Sequence, residues 1–538
     1  MLKYMERSVW SVILLAFFAA GLKAQEYVYT NNDLYDSTNT NVVNSVSGFA
    51  VDAGTLGPIA GSPFATGPAG TVGTHGGLYS SNRIIVVGDF LYASNTGSNS
   101  ISAFTIDSST GALTLVGSPF ATQGSNSSTL SGISLAATAD GKYLYAGTTD
   151  GNITIYSIDS TTGALTPMTS GSPVSAGGAT TSMKVTPNGK FLAVALYNSN
   201  KVAMFAIQSG GGLTPVSGSP FTANQGSGYI TGIDINCAGT LLFAGRNGPD
   251  IDVFNINSDG TLSELTNSPF STGSVSSNQV VALSVDDSTL FSSNQGYFSS
   301  GQYTVTAFPV GLDGSLGAPE ATVGAGAGAL YPGGLAVSGD GAFLYAADTA
   351  FTGGFGAIST FGLAGSTPLS FDSVISTGQL SGLHSLAAYP AKACAAPSPS
   401  NSLSITSLHI YTAPPLGFGL EATLSLGSSL AVDPLTQTVT IQIGDFVVTL
   451  PAGSFRLFQN GAKAGMYVSN KPVDGGHVKV QITPLGQNQF QISAFDKKTD
   501  LTGVGTSVTV TVGIGDNSAS MSVTPTFGSR LQGNSRGQ

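Results

Sequence analysis

From Tyr27 to Pro390 the chain repeats one order of apolar and polar positions seven times. Each repeat carries an aromatic and aliphatic run: Tyr27-Val-Tyr-Thr30, Phe90-Leu-Tyr-Ala93, Tyr143-Leu-Tyr-Ala146, Phe191-Leu-Ala-Val194, Leu241-Leu-Phe-Ala244, Thr289-Leu-Phe-Ser292 and Phe343-Leu-Tyr-Ala346. After a polar loop comes a second run with apolar residues at alternate positions, such as Ile101-Ser-Ala-Phe104, Ile153-Thr-Ile-Tyr156 and Ile251-Asp-Val-Phe254. A period of two with β-branched and aromatic residues predicts strands. Turns such as Asp107-Ser-Ser-Thr-Gly-Ala-Leu113, where glycine supplies the positive φ of a hairpin, lead to a third short strand. That strand runs into Gly61-Ser-Pro-Phe64, Gly117-Ser-Pro-Phe120, Gly218-Ser-Pro-Phe221 or Asn267-Ser-Pro-Phe270.

A further strand precedes every aromatic run except the first: Ile84 to Val87, Ile133 to Ala137, Met183 to Thr186, Ile233 to Ile235, Val281 to Val285 and Leu335 to Val337. Its missing seventh copy comes only at the end, as Leu383-His-Ser-Leu-Ala-Ala-Tyr-Pro390. A chain that begins with a blade lacking its inner strand and ends with a lone inner strand is closing a ring, which leaves no open sheet edge between its ends. The pattern therefore predicts an all-β fold: a seven-bladed β-propeller of four-stranded blades over residues 25–392, with the last strand closing the first blade.

A Pro/Ser/Ala linker over residues 393–402 ends the repeats, and a different β pattern follows. Thr438-Val-Thr-Ile-Gln-Ile443 and Phe446-Val-Val-Thr-Leu450 flank a two-residue turn, and His477-Val-Lys-Val-Gln-Ile482 and Ser507-Val-Thr-Val-Thr-Val512 alternate. These predict a small β-sandwich over residues 403–527, then a disordered tail over 528–538. At the other end, Lys3 and Arg7 precede a short apolar stretch from Ser11 to Leu22 and the small residue Ala24. Residues 1–24 read as a secretory signal peptide, whose apolar run is too short to span a ~30 Å hydrocarbon core. An exported protein with no membrane span is expected, periplasmic, at the cell surface or secreted.

Composition narrows the function classes. Only 9% of residues are Asp, Glu, Lys or Arg, against roughly 25% in ordinary soluble proteins. The 18 Lys and Arg against 29 Asp and Glu leave a net charge of −11, which argues against a nucleic-acid partner. Two cysteines, Cys237 and Cys394, make neither a disulfide framework nor a four-ligand zinc site, and two unpaired thiols are expected over a bridge. The four histidines, 75, 384, 409 and 477, are not at ligand spacing, and the glycine loop Gly70 to Gly76 opens no helix. No metal and no cofactor are expected.

Tyr27-Val-Tyr-Thr-Asn31, the repeated Phe/Tyr-Leu-Tyr-Ala strand, the turns Ala139-Asp-Gly-Lys142 and Pro187-Asn-Gly-Lys190, and the Asp-x-x-Thr-Gly-Ala-Leu hairpin resemble the YVTN-repeat propellers and the seven-bladed lactonase family related to 6-phosphogluconolactonase. The resemblance spans residues 26 to 390 and implies lactone hydrolysis or formation at one mouth of the central channel. The family's Arg-His pair is replaced here by Thr231-Gly232 and Gly333-Gly334, its turn His by Asn236 or Ser338, and its Asn-Glu by Asn95-Thr96. What remains on the loop-rich face includes Asp33, Arg83, Arg246 and Asp348, with His75 and His384. His75 or His384 beside an Asp is the candidate water activator, and Arg83 or Arg246 the candidate oxyanion holder. Two functions stay open: a monomeric scaffold that binds a ligand, a glycan or an envelope protein, and a lactone hydrolase at the channel mouth. Scarce cations disfavour a phosphorylated substrate.

Overall fold

The computed structural model describes residues 25–528 except 34–42, 69–70, 72–80, 118, 127–131, 198, 224–227, 273–276, 296–302, 312, 326–330, 350–354, 364–367, 381–384, 393, 395–401, 415, 426–433, 458–466, 474–475, 487–488, 502–503 and 516. The chain divides into two compact units, Met1–Ala393 and Cys394–Gln538. Residues 1–24, read above as a signal peptide, lie outside the described residues. Among the described residues no helix is long and apolar enough to cross a membrane.

The first unit is seven antiparallel sheets. Blade 2 is representative, with inner strand Ile84–Val87, second strand Phe90–Asn95, third strand Ser100–Ile106 and an outer strand in two pieces, Leu113–Leu115 and Phe120–Ala121. Blade 1 takes its inner strand from the far end of the unit, where Leu386–Tyr389 pairs with Tyr27–Asn31. The seven inner strands follow one another around a closed circuit, so blade 1 sits between blades 7 and 2. Closure by the final strand joins residues more than 350 positions apart, and the Thr30 hydroxyl adds a hydrogen bond to the Ser385 carbonyl.

The repeated strings now have physical reasons. In blades 1 to 4 the first aromatic of the second strand packs on the hairpin glycine of the next blade. A Cβ built at Gly111, Gly163, Gly211 or Gly260 would lie 2.3–2.5 Å from Tyr27, Phe90, Tyr143 or Phe191, and each of these glycines also has positive φ. Only glycine fits both demands. Two residues further on, Tyr29, Tyr92 and Tyr145 donate their hydroxyls to the carbonyls of Gly111, Gly163 and Gly211 across the same seams. In the Gly-Ser-Pro-Phe string, the serine hydroxyl accepts a backbone amide of the third strand. Ser62 accepts from Gly48, Ser219 from Met204 and Ser268 from Val253, all at 2.9–3.1 Å. The following aromatic then resumes pairing, as Phe120 does with Ile101.

Inner strands of blades 4 to 7 begin earlier than the alternation predicts: Thr180–Val185, Ile230–Ile235, Ser277–Leu283 and Tyr331–Val337. Each carries a register shift near its start, between Thr180 and Ser182, Ile230 and Gly232, Asn278 and Val280, and Pro332 and Leu335. A bulge interrupts the period of two, which hides the strand's beginning from sequence and bends it at the mouth.

In the second unit, a seven-stranded sheet and a four-stranded sheet contribute to one core that includes Phe418, Leu420, Ile441, Val448, Val480, Ile492 and Val510. Val439–Ile443 pairs with Phe446–Leu450 across a two-residue turn. The expectation of unpaired thiols is corrected: Cys237 and Cys394 are both disulfide-bonded. Their separation of 157 positions gave no local signal of pairing.

Candidate functional site

The second strand of each blade ends at the loop-rich face, and one repeated position lies at or beside its end: Asn32, Asn95, Thr148, Leu196, Arg246, Asn294 and Asp348. The pleat sets it beside a third-strand residue on the same sheet face: Ser47, Ser102, Thr154, Ala203, Asp252, Thr306 and Ser359. In five blades the two join by hydrogen bonds. Asn32 donates to Ser47 at 3.0 Å, Asn95 to Ser102 at 2.8 Å, Asn294 to Thr306 at 2.7 Å and Ser359 to Asp348 at 2.8 Å. Arg246 binds both carboxylate oxygens of Asp252, at 2.6 and 2.9 Å. Blade 4 places the apolar pair Leu196 and Ala203 there, inside its core.

Blades 1 and 2 meet in a buried polar knot. Asn44 donates to Asn31 at 2.9 Å and to Asn95 at 3.0 Å, and Asn31 donates to the Ser94 carbonyl at 2.7 Å. Beside it Arg83 and Asp33 form an ion pair at 2.7 Å with both side chains fully buried. Burial raises the Asp33 carboxyl and the Arg83 guanidinium opposes that rise. The Arg83 amide also donates to the Ser385 hydroxyl, so the knot reaches the closing strand. Next in sequence, Ser81 and Asn82 reach past blade 3 to blade 4: the Ser81 amide bonds the Thr181 carbonyl at 3.0 Å, its hydroxyl bonds Ser182 at 2.8 Å, and Asn82 bonds the Met183 carbonyl at 2.8 Å. Polar contacts between non-adjacent blades narrow the channel at this level.

The opposite mouth holds a second charged group. Lys392, just after the closing strand, donates to the Leu283 carbonyl of blade 6 at 2.7 Å. Lys184 of blade 4 pairs with Asp234 of blade 5 at 3.0 Å, and Asp234 also accepts the Leu283 amide. Burial raises the Asp234 carboxyl, yet Lys184, Lys392 and that amide together carry it below the usual carboxylate range. Burial lowers the Lys392 ammonium.

Two carboxyls on the loop-rich face are shifted toward neutrality. Burial pushes Asp348 up to about 7, with only the Ser359 hydroxyl pulling it down. Burial also pushes Asp252 up to about 7, against the hydrogen bonds and charge of Arg246. A buried carboxyl shifted this far is able to hold or release a proton near neutral pH.

The four candidate residues from the sequence are placed as follows. His75 and His384 lie outside the described residues. Arg83 lies in the seam of blades 1 and 2 and Arg246 in the wall of blade 5, each buried and each bound to its own carboxylate. The structure does not bring the two arginines to a common point, as their contacts lie in separate blades. Asp234, Tyr303 and Lys392 carry no repeat signal in the sequence, because the other blades do not share their side chains at those positions. A lone lysine just past the closing strand was the available signal for Lys392. Among the described residues no group of three or more His, Cys, Asp or Glu is placed to hold a metal ion.

The family model "Lactonase, 7-bladed beta-propeller" matches residues 40–176 and 133–232. No curated protein matches the chain in sequence. Among solved structures, a 6-phosphogluconolactonase-like protein from Bacteroides fragilis is 19% identical, with a TM-score of 0.52 over 69% of this chain and 99% of its own. A periplasmic gluconolactonase from Pseudomonas aeruginosa is 15% identical, with a TM-score of 0.50 over 68% of this chain and 99% of its own. A protein from Lactobacillus plantarum is 18% identical at a TM-score of 0.50, covering 67% and 98%. At these identities the likeness is one of fold. The first unit is thus a seven-bladed β-propeller, similar in sequence to the seven-bladed lactonase family over residues 40–232 and similar in fold to these structures around its circuit.

Proposed function

We propose that this protein is an exported propeller that binds a ligand or partner, a glycan or an envelope protein, through its loop-rich face. The observation that carries this reading is the burial of both mouth arginines. Arg83 and Arg246 are fully buried against Asp33 and Asp252, so their charge is already matched inside the wall. An oxyanion holder must direct donors at the position where negative charge develops. An arginine locked on a carboxylate in the wall does not. The uncharged Ser, Thr, Asn and Gly loops that remain suit neutral, hydroxyl-rich partners.

A second reading, lactone hydrolysis, is favoured by the family-model match and by Asp348, a mouth carboxyl with no cation beside it among the described residues and shifted toward neutrality. The experiment that separates the two incubates the full chain with a panel of non-phosphorylated lactones and, in parallel, with an immobilised glycan panel. Saturable glycan binding without lactone turnover supports the binding reading. Turnover that His75→Ala, His384→Ala or Asp348→Asn abolishes supports the hydrolase.

A further inference from the structure

The residue just before each third strand sits next to the following blade. In blade 1 this is Asn44, which donates to Asn95 of blade 2 at 3.0 Å. Registers make Tyr303 its counterpart in blade 6 and Asp348 the counterpart of Asn95 in blade 7. The Asp348 charge acts on the Tyr303 phenol, in keeping with this placement. Both side chains are buried, Tyr303 at 0% and Asp348 at 3% exposure. Where the asparagines touch, these two do not: neither the Tyr303 hydroxyl nor Asp348 Oδ1 has a hydrogen-bond partner among the described residues, while Asp348 Oδ2 is taken by Ser359.

A phenol and a carboxyl oxygen left unsatisfied in the same blade seam each carry the desolvation cost of a buried polar group without a partner. Both sit in an interior where nearly all such atoms are satisfied. Their complement is a small group that both donates and accepts. We propose that Tyr303 and Asp348 form a hydroxyl-binding site in the seam of blades 6 and 7, taking one hydroxyl group, from water or from a polyhydroxylated ligand, that bridges the Tyr303 hydroxyl and Asp348 Oδ1. The site does not depend on whether the mouth binds or hydrolyses. Its chemistry selects against anions, since the described residues bring no cation to it, and against apolar groups, which would leave both atoms unsatisfied. The pair also differs from the knot of blades 1 and 2 in kind: there two amides close on each other, whereas here the phenol and one carboxyl oxygen both stay without a partner among the described residues.

The test is the sign of Tyr303→Phe on thermal stability of the full chain. If a hydroxyl bridges the pair, the substitution removes a satisfied hydrogen bond and lowers Tm by about 1–2 °C. If nothing occupies the site, it removes an orphaned polar atom, and an unchanged or raised Tm overturns the proposal. Asp348→Asn combined with Tyr303→Phe checks the coupling: the two effects are expected to be non-additive, and strict additivity counts against a shared guest. The source is read with D-glucose as the probe and D-gluconate as the anionic control. A rise in Tm that Tyr303→Phe abolishes assigns the hydroxyl to a ligand. The same loss on Tyr303→Phe with no probe effect assigns it to water.

Discussion

In blade 5 the second strand ends on Arg246 and the adjoining third-strand residue is Asp252, whereas blade 7 has Asp348 and Ser359 at the same two positions. Backbone, register and burial are alike, and only the side chains differ. Blade 5 buries a carboxyl with a bidentate cation. Blade 7 buries one with a single hydroxyl, and burial moves both carboxyls up to about 7, against the pull of Arg246 in blade 5 and of one hydroxyl in blade 7. The repeat therefore fixes where a polar group stands, and its immediate partner decides what opposes burial there: a bidentate cation in blade 5, one hydroxyl in blade 7. Elsewhere the same position is filled by neutral Asn–Ser and Asn–Thr pairs, which need no counter-charge.

The comparison breaks most sharply at Arg246. Arg246→Ala leaves Asp252 buried without its cation and is expected to cost about 3–5 kcal/mol in chemical denaturation. Arg246→Met with Asp252→Leu is expected to recover most of that loss, because replacing a whole buried pair by apolar groups is often neutral. If the double variant is as unstable as the single, the pair is more than a structural tie.

Asp348→Asn tests the uncompensated side. Burial raises the folded-state value of this carboxyl, so the stability it allows is complete below its unfolded value near 4 and is lost as pH rises through about 7. Asparagine cannot ionise, so the variant is expected to gain on wild type with increasing pH, by up to roughly 4 kcal/mol above pH 8, and to gain nothing near pH 4. A difference that does not change with pH would remove the contrast between the blades.

Smaller effects come from the seams. Gly163→Ala forces a Cβ to 2.5 Å from Phe90 and places alanine at φ +75, for an expected loss of about 2 kcal/mol. Tyr92→Phe deletes a buried hydrogen bond to Gly163 at 2.9 Å and is expected to cost about 1 kcal/mol. Tyr345, its counterpart in blade 7, has no hydrogen-bond partner for its hydroxyl among the described residues. Tyr345→Phe is therefore expected to cost nothing or to stabilise, and a loss equal to that of Tyr92→Phe would contradict the seam account.

The fold was legible because its determinants repeat. Tyr27, Phe90 and Tyr143 with their hairpin glycines write one seam contact three times over, and the displaced strand Leu386–Tyr389 reveals the closure. Inner-strand starts in blades 4 to 7 were less legible, since bulges at residues such as Thr181 and Thr231 interrupt the alternation. The candidate site was legible only in part. Arg83 and Arg246 stood out as rare cations, but their carboxylates Asp33 and Asp252 lie 50 and 6 residues away, and burial depends on blade packing that no local pattern records. Tyr303 looks like any loop aromatic until register makes it the blade 6 counterpart of Asn44, in the core shared with Leu344 and Ala346 of blade 7.

The central claim is that the mouth's arginines belong to the wall and that the face binds without turning over a lactone. Its most direct measurement is the rate of glucono-1,5-lactone hydrolysis by the purified full chain, followed by acid release against the spontaneous reaction. The account expects the two rates to be equal at every protein concentration. A rate that rises in proportion to protein and falls to background in His75→Ala or His384→Ala would contradict it.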